Sequence, residues 1–246
     1  MDEQEKHGGF IQFPLQLLAT DWTLEKVIGS ACWWSAHLLV KSWEGEEPIP
    51  YQEQSEEDIY KRAVGTIGFR FANDKLNVAK YVCEKVREVE SALNRLHPTH
   101  EPSKIFVRIP LSYAFEIKKG QWKEPEARVY LALACIIGVQ KPYARAGWPL
   151  ISRRAAGIAR AGQPSAQELM TRKQVDYQLK KLCERDLFAC YCFNRGARYW
   201  SFPKKCSREQ IARFVLNNHI ARQKPAAESD AELTARIMAE SLKPKA

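Results

Sequence analysis

Met170-Thr171-Arg172-Lys173-Gln174-Val175-Asp176-Tyr177-Gln178-Leu179-Lys180-Lys181-Leu182-Cys183-Glu184-Arg185 gives way, after Asp186, to Leu187-Phe188-Ala189-Cys190-Tyr191-Cys192-Phe193, then Asn194-Arg195-Gly196, then Ala197-Arg198-Tyr199-Trp200-Ser201-Phe202. In the first part Val175, Leu179 and Leu182 fall on one stripe of a helix, while Lys173, Tyr177, Lys180 and Glu184 project opposite, flanked by Gln174 and Lys181. The second part reads as strand, three-residue turn, strand. This places Arg195 and Arg198 at the tip of a β-hairpin.

A helix that packs on one side and presents basic and polar groups on the other, running into a hairpin tipped by arginines, has the pattern of the recognition helix and wing of a winged helix-turn-helix. The charge distribution agrees with that reading. The chain has 246 residues and a net charge of +9, but residues 1–60 hold 3 basic and 12 acidic side chains, whereas residues 141–224 hold 18 basic and 5 acidic. A cationic stretch that coincides with the helix and hairpin is the footprint of a polyanion partner, the alternative being a merely solvated basic surface.

Working outward, the chain repeats itself. Phe10-Ile11-Gln12-Phe13-Pro14-Leu15 recurs as Phe106-Val107-Arg108-Ile109-Pro110-Leu111, and each copy is followed by a tryptophan, Trp22 or Trp122, that opens an apolar helical stretch over 23–41 or 124–139. Lys61-Arg62-Ala63-Val64-Gly65 echoes Arg153-Arg154-Ala155-Ala156-Gly157. Two collinear matches at offsets of 96 and 92 argue for a duplicated unit. The expected fold class is therefore mainly α with small β-hairpins, α+β, as two tandem winged helix-turn-helix domains. The boundaries are a disordered N-terminus 1–9, a first domain 10–97, a linker 98–104, a second domain 105–224 and a flexible tail 225–246.

In the second unit the pattern gives an extended segment at 105–111, a helix from Pro125 to Gly138, a helix over 150–161, the recognition helix, the hairpin and a last helix over 207–223. That last helix opens on a Ser207-x-x-Gln210 capping box, and Ile211, Phe214, Val215 and Ile220 suit its packing. The first unit gives helices over 23–41, 57–69 and 74–96, the last with Val78, Val82, Val86, Val89 and Leu93 as its buried stripe. No second aromatic hairpin follows, so this unit has either lost its wing or uses the 104–109 strand instead. Its acidic composition favours dimerisation or docking of another protein over DNA contact, and Trp33 and Trp34 read as core.

The sequence lacks a glycine-rich phosphate loop, a His-Glu-x-x-His and a nucleophile elbow, so neither enzymatic activity nor a cofactor is expected. His97 and His100, beside Glu101, are better read as linker than as metal ligands. Tyr177, Tyr191 and Tyr199 lack the His cluster or Arg-His-Arg set of a tyrosine nucleophile. Cys32, Cys83 and Cys135 fall in apolar helical patterns and read as small buried hydrophobes. Cys183, Cys190, Cys192 and Cys206 match no structural zinc spacing, so no metal is assigned. Cys190 and Cys192 share one face of a strand, which leaves a metal or redox pair as their alternative reading. No run approaches the ~20 apolar residues of a membrane span, and the acidic N-terminus is wrong for a signal peptide, so a cytoplasmic protein without a membrane partner is expected.

Double-stranded DNA is the expected partner, with definite roles. Lys173, Gln174, Tyr177, Lys180 and Lys181 lie in or beside the major groove, where Gln pairs with adenine and Lys reaches guanine acceptors or phosphate. Arg172 meets the backbone. Arg195 and Arg198 reach a phosphate or the adjacent minor groove, and Arg153, Arg154 and Arg160 neutralise the flanking backbone.

The duplicated Phe-x-x-x-Pro-Leu strands, Arg153-Arg154-Ala155-Ala156-Gly157, the helix from Thr171 and the hairpin around Arg195 together resemble the replication initiator proteins of plasmids and some phages. That resemblance covers most of residues 10–223. It implies a C-terminal domain that binds repeated origin sequences and an N-terminal one that mediates dimerisation or reads a further half-site. The missing first hairpin and the acidic N-terminus depart from it. A transcriptional regulator of the same fold, and a winged-helix interaction subunit of a larger nucleoprotein or mobile-element defence complex, are the alternatives.

Overall fold

The two copies of the repeated strand pair with each other. In the computed structural model, which describes residues 10–38, 75–96, 106–138, 141–159, 163, 165–193 and 197–223, β1 (Phe10–Pro14) and β2 (Phe106–Pro110) form an antiparallel ribbon. Phe10 lies opposite Pro110, Gln12 opposite Arg108 and Pro14 opposite Phe106. Gln12 and Arg108 are equivalent positions of the repeat, so the register is symmetric about a local two-fold axis through that pair. Alternation buries Ile11, Phe13, Val107 and Ile109 and turns Gln12 and Arg108 outward. Of the 104–109 stretch considered above as a substitute wing, the described residues 106–109 thus pair with the other entry strand.

Proline ends both strands, since it fixes φ and carries no N–H to extend a ladder. Pro14 leads into a 3₁₀ helix (Leu15–Ala19), and Pro110 leads into α3 (Leu111–Lys118). Each is followed by a longer helix, α1 (Leu24–Leu38) or α4 (Glu124–Ile137), the latter with Pro125 in its first turn as its sequence suggests. The packing is exchanged across the axis: α3 lies on α1, and the 3₁₀ helix lies on α4. One continuous buried cluster consequently runs from Ile11 through Trp33, Trp34, Val89, Ile109 and Leu131 to Trp200. The expected linker 98–104 and helix 57–69 lie outside the described residues.

Arg128 stitches the halves together. Buried on α4, it donates from Nη1 to the carbonyls of Leu18 (2.9 Å) and Ala155 (3.4 Å) and from Nε to Glu124 (2.8 Å). Ala166 N–H donates to the Ala19 carbonyl, and the Gln167 amide to the Thr20 carbonyl, both at 2.9 Å. Gly157, at φ +76°, closes α5 (Trp148–Ala155) and lies so near the first unit that a Cβ there would sit 2.2 Å from Ala19 N. Ile158 N–H bonds back to the Arg153 carbonyl and Gly157 N–H to the Arg154 carbonyl, a Schellman closure that needs a left-handed residue at this position. The helix expected over 150–161 therefore stops at Ala155.

In the first unit α2 (Lys75–Leu96) packs on α1 through Val86, Val89, Ala92 and Leu93. In the second, β3 (Ala144–Arg145), α5, α6 (Arg172–Glu184), β4 (Ala189–Phe193) and β5 (Ala197–Ser201) follow α4, with the strands in the order β3-β5-β4, all antiparallel. α7 (Arg208–Gln223) covers the sheet with Ile211 and Val215, and Phe214 stacks on Tyr143. The fold is mixed α+β. Among the described residues, no helix is long and apolar enough to cross a membrane.

Candidate nucleic-acid interface

The face in question is built on α6, and its local sequence explains why the helix starts and stops where it does. Thr171 caps it: the hydroxyl accepts from Gln174 N–H, and the Gln174 side chain accepts from Thr171 N–H at 2.8 Å, a reciprocal capping box. Val175, Leu179 and Leu182 are buried against the core, as the periodicity predicts, together with Gln178. At the far end Asp186 adopts φ 54°, while its own N–H and that of Leu187 bond the carbonyls of Cys183 and Leu182. This Schellman turn aims the chain into β4.

The helix leaves Lys173, Tyr177 and Lys180 in solvent, Tyr177 with 57% of its surface exposed. Lys181 lies over the Tyr177 ring at 4.7 Å, and Lys180 stands 3.8 Å from Glu184. The outward side chains expected for a groove-facing surface are thus together on one face. Gln174 is exposed, but its amide oxygen is engaged in the helix cap, so an adenine contact would compete with the cap.

The arginines divide differently from the expectation. Arg153 is exposed on α5, whereas Arg154 is turned back to donate to the carbonyls of Ile158 (3.1 Å) and Ala159 (2.5 Å), and so acts as a brace for the loop. Arg198 does not stand at the hairpin tip. It lies one residue inside β5, opposite Cys192, with its guanidinium bonded to the Asp176 carboxylate of α6. That carboxylate holds the Arg198 pKa above its ordinary value. Arg172 approaches the other oxygen of Asp176 at 3.6 Å. Arg160 and Arg195 lie outside the described residues.

Asp176 is the residue that sequence reasoning passed over. Its i,i+4 spacing from Arg172 is visible in the sequence, but its bond to Arg198 joins two elements and is not. Through it the single acid in the middle of a basic helix becomes the clasp that fixes the strand pair against that helix. Arg185, just beyond α6, is a second such anchor: it stacks over Trp122 at 4.0 Å and pairs with Glu126 and Glu116.

Among the described residues no group of three or more His, Cys, Asp or Glu side chains could hold a metal ion. His97 and His100, read above as linker, lie outside those residues. No family model, curated protein or solved structure matches this chain.

Proposed function

We propose that this chain binds double-stranded DNA in a sequence-specific manner through a winged helix spanning α4 to β5, in the service of replication initiation on a plasmid or phage. The observation that carries the reading is the exposed face of α6. Lys173, Tyr177, Lys180 and Lys181 share it, and the helix is held by its cap at one end and by the Arg198–Asp176 clasp along its length. The element order helix, strand, helix, helix, strand, strand, with the sheet ordered β3-β5-β4, supports the winged-helix assignment. A helix of about 12 Å overall diameter fits the major groove, and a rigid mount keeps its cations from spending side-chain and backbone order on binding.

The initiator reading rests on the duplication. Two units joined through paired entry strands resemble that family's two-domain plan, with the second unit as the DNA reader and the first as the dimerising or docking unit.

Fluorescence anisotropy of a mixed-sequence duplex at two salt concentrations tests the reading, with a Lys173→Glu, Lys180→Glu, Arg195→Glu variant beside the parent chain. Binding by the parent should weaken steeply with salt, because each phosphate neutralised contributes about 0.9 to the log–log slope. The variant should lose it. Equal binding by both, or none by either, overturns the reading.

A further inference from the structure

The seam between α6 and the β4–β5 pair is rich in sulfur. Cys190 and Cys192 lie two residues apart on β4, hence on one face of the strand, and the register sets them opposite Trp200 and Arg198. That face is the one turned to α6, since Trp200 is buried and Arg198 is bonded to Asp176. On that face the Cys190 and Cys192 side chains are strand neighbours, with Cys183 of α6 and the Arg198 guanidinium within electrostatic reach of Cys190. All seven cysteines are free, and of these Cys192 alone is exposed.

We propose that Cys192 is an oxidative modification site, taking a peroxide as its co-reactant and closing onto Cys190 as an intrastrand disulfide that unhooks the strand pair from α6. In the first step the Cys192 sulfur attacks one peroxide oxygen and the O–O bond breaks. Cys192 becomes a sulfenic acid, and the other oxygen leaves and takes up a proton. In the second step the Cys190 sulfur attacks the Cys192 sulfur, the S–S bond forms, and the hydroxyl leaves with the Cys190 proton as water. Two thiols and one hydrogen peroxide thus give one disulfide and two waters. The order of events follows from the setting. Cys192 meets solvent first, while burial, reinforced by the neighbouring thiols, pushes Cys190 up to about 12 and keeps it protonated until the sulfenic acid forms beside it.

The conformational consequence is geometric. At about 3.3 Å per residue, Cα atoms two positions apart on a strand are about 6.6 Å apart, near the upper end of the ~4.4–6.8 Å that disulfides span. Closing the bond therefore draws the strand inward across Tyr191, whose partner on β5 is Tyr199, the neighbour of Arg198. The Arg198–Asp176 bond stands on that register and is lost with it. A disulfide strained in this way is readily reduced, which makes the change reversible.

The test treats the reduced full-length protein with hydrogen peroxide, alkylates the remaining thiols and maps the peptides by mass spectrometry. The expected product links Cys190 to Cys192 and leaves the other five cysteines alkylated. Cys192→Ser should protect Cys190, and Cys190→Ser should leave Cys192 as a sulfenic acid that dimedone traps. The wild-type mapping stands even if neither variant folds. A link from either residue to Cys183, or oxidation with no preference for Cys192, overturns the site. Backbone hydrogen exchange at β5 should quicken on oxidation and recover with a dithiol; unchanged exchange overturns the unhooking.

Any effect on DNA rests on the function proposed above, and the experiment keeps the two apart. Oxidation should weaken duplex binding about tenfold, the share of one charge-assisted hydrogen bond. A disulfide that forms in a protein that never binds duplex refutes the DNA reading alone. Binding by the reduced protein with no disulfide after peroxide refutes the thiol site alone.

Discussion

α2 and α6 occupy matching places in the two halves, each packed on the helix that follows its entry strand, yet they spend their charges in opposite ways. On α2, Lys85 and Lys26 of α1 both pair with Glu88, at 2.8 and 2.6 Å, so charge ties two helices together. On α6 the one mid-helix acid is bonded to arginines, and Lys173 and Lys180 project into solvent. The same scaffold thus carries one helix whose charges serve packing and one whose charges are available to a partner. The paired entry strands supply the shared frame, and side-chain pairing separates the two helices.

The two halves are held as one body where Gly157 meets Ala19, and a substitution there breaks that joining most severely. Gly157→Val forces a branched side chain into φ +76° and against the Ala19 backbone. The left-handed backbone costs about 1–2 kcal/mol and overpacking about 1–3 more, so thermal unfolding should show a loss of about 2–5 kcal/mol. An unchanged melting temperature would mean that the junction is not packed this way.

Charge reversal sharpens the contrast directly. Lys173→Glu with Lys180→Glu should reduce duplex affinity about 100-fold or more, if each lysine makes a charge-assisted contact, and should lower the salt slope by about 2. Lys80→Glu with Arg87→Glu on α2 should leave both nearly unchanged. Equal losses from the two helices would erase the distinction between them. Asp176→Asn is a subtler probe of α6. It should lower stability by about 1 kcal/mol, as a partly exposed ion pair does, and weaken binding to mixed-sequence duplex by no more than about tenfold, as loss of the same bond on oxidation does. A fall in affinity as large as that of the lysine pair would show that the clasp, more than the exposed cations, governs binding.

How much of this was legible in the sequence depended on range. α6 and its hairpin were, because a 3.6-residue stripe of Val175, Leu179 and Leu182 and the Asn-Arg-Gly turn are local signals. So was the repeat. That its copies would pair with each other was not, because strand pairing across some 96 residues leaves no local trace. α3 escaped notice because Leu-Ser-Tyr-Ala-Phe-Glu-Ile-Lys mixes aromatic and β-branched residues of modest helix propensity, and β3 because it is two residues long. In the candidate interface the exposed lysines followed from the helical wheel. The fates of Arg154 and Arg198 did not, because the bonds of Arg154 to the Ile158 and Ala159 carbonyls depend on the helix stopping at Ala155, and that of Arg198 to Asp176 joins two elements. Gly157 was visible as an echo of Gly65, but its physical reason, the close approach to Ala19, is again tertiary.

The smallest effect tests the other side of the comparison, the claim that α2 uses its charges for packing. Burial works to raise the Glu88 pKa, but hydrogen bonds from Lys26 and Lys85 outweigh it and hold the carboxyl below its ordinary 4.5. A group depressed on folding adds stability above its unfolded value and loses it as pH falls through the folded one. Glu88→Gln should therefore destabilise the protein at neutral pH by no more than about 1 kcal/mol, because the pairs are partly exposed and screened. The gap between parent and variant should close as the pH drops below 4.5 and shrink with added salt. Duplex binding by the same variant should match the parent at neutral pH, since Glu88 belongs to the contact between α1 and α2. A Glu88→Gln chain whose stability matches the parent at every pH but whose DNA affinity rises would place α2 on the DNA side of the molecule and make the two helices alike.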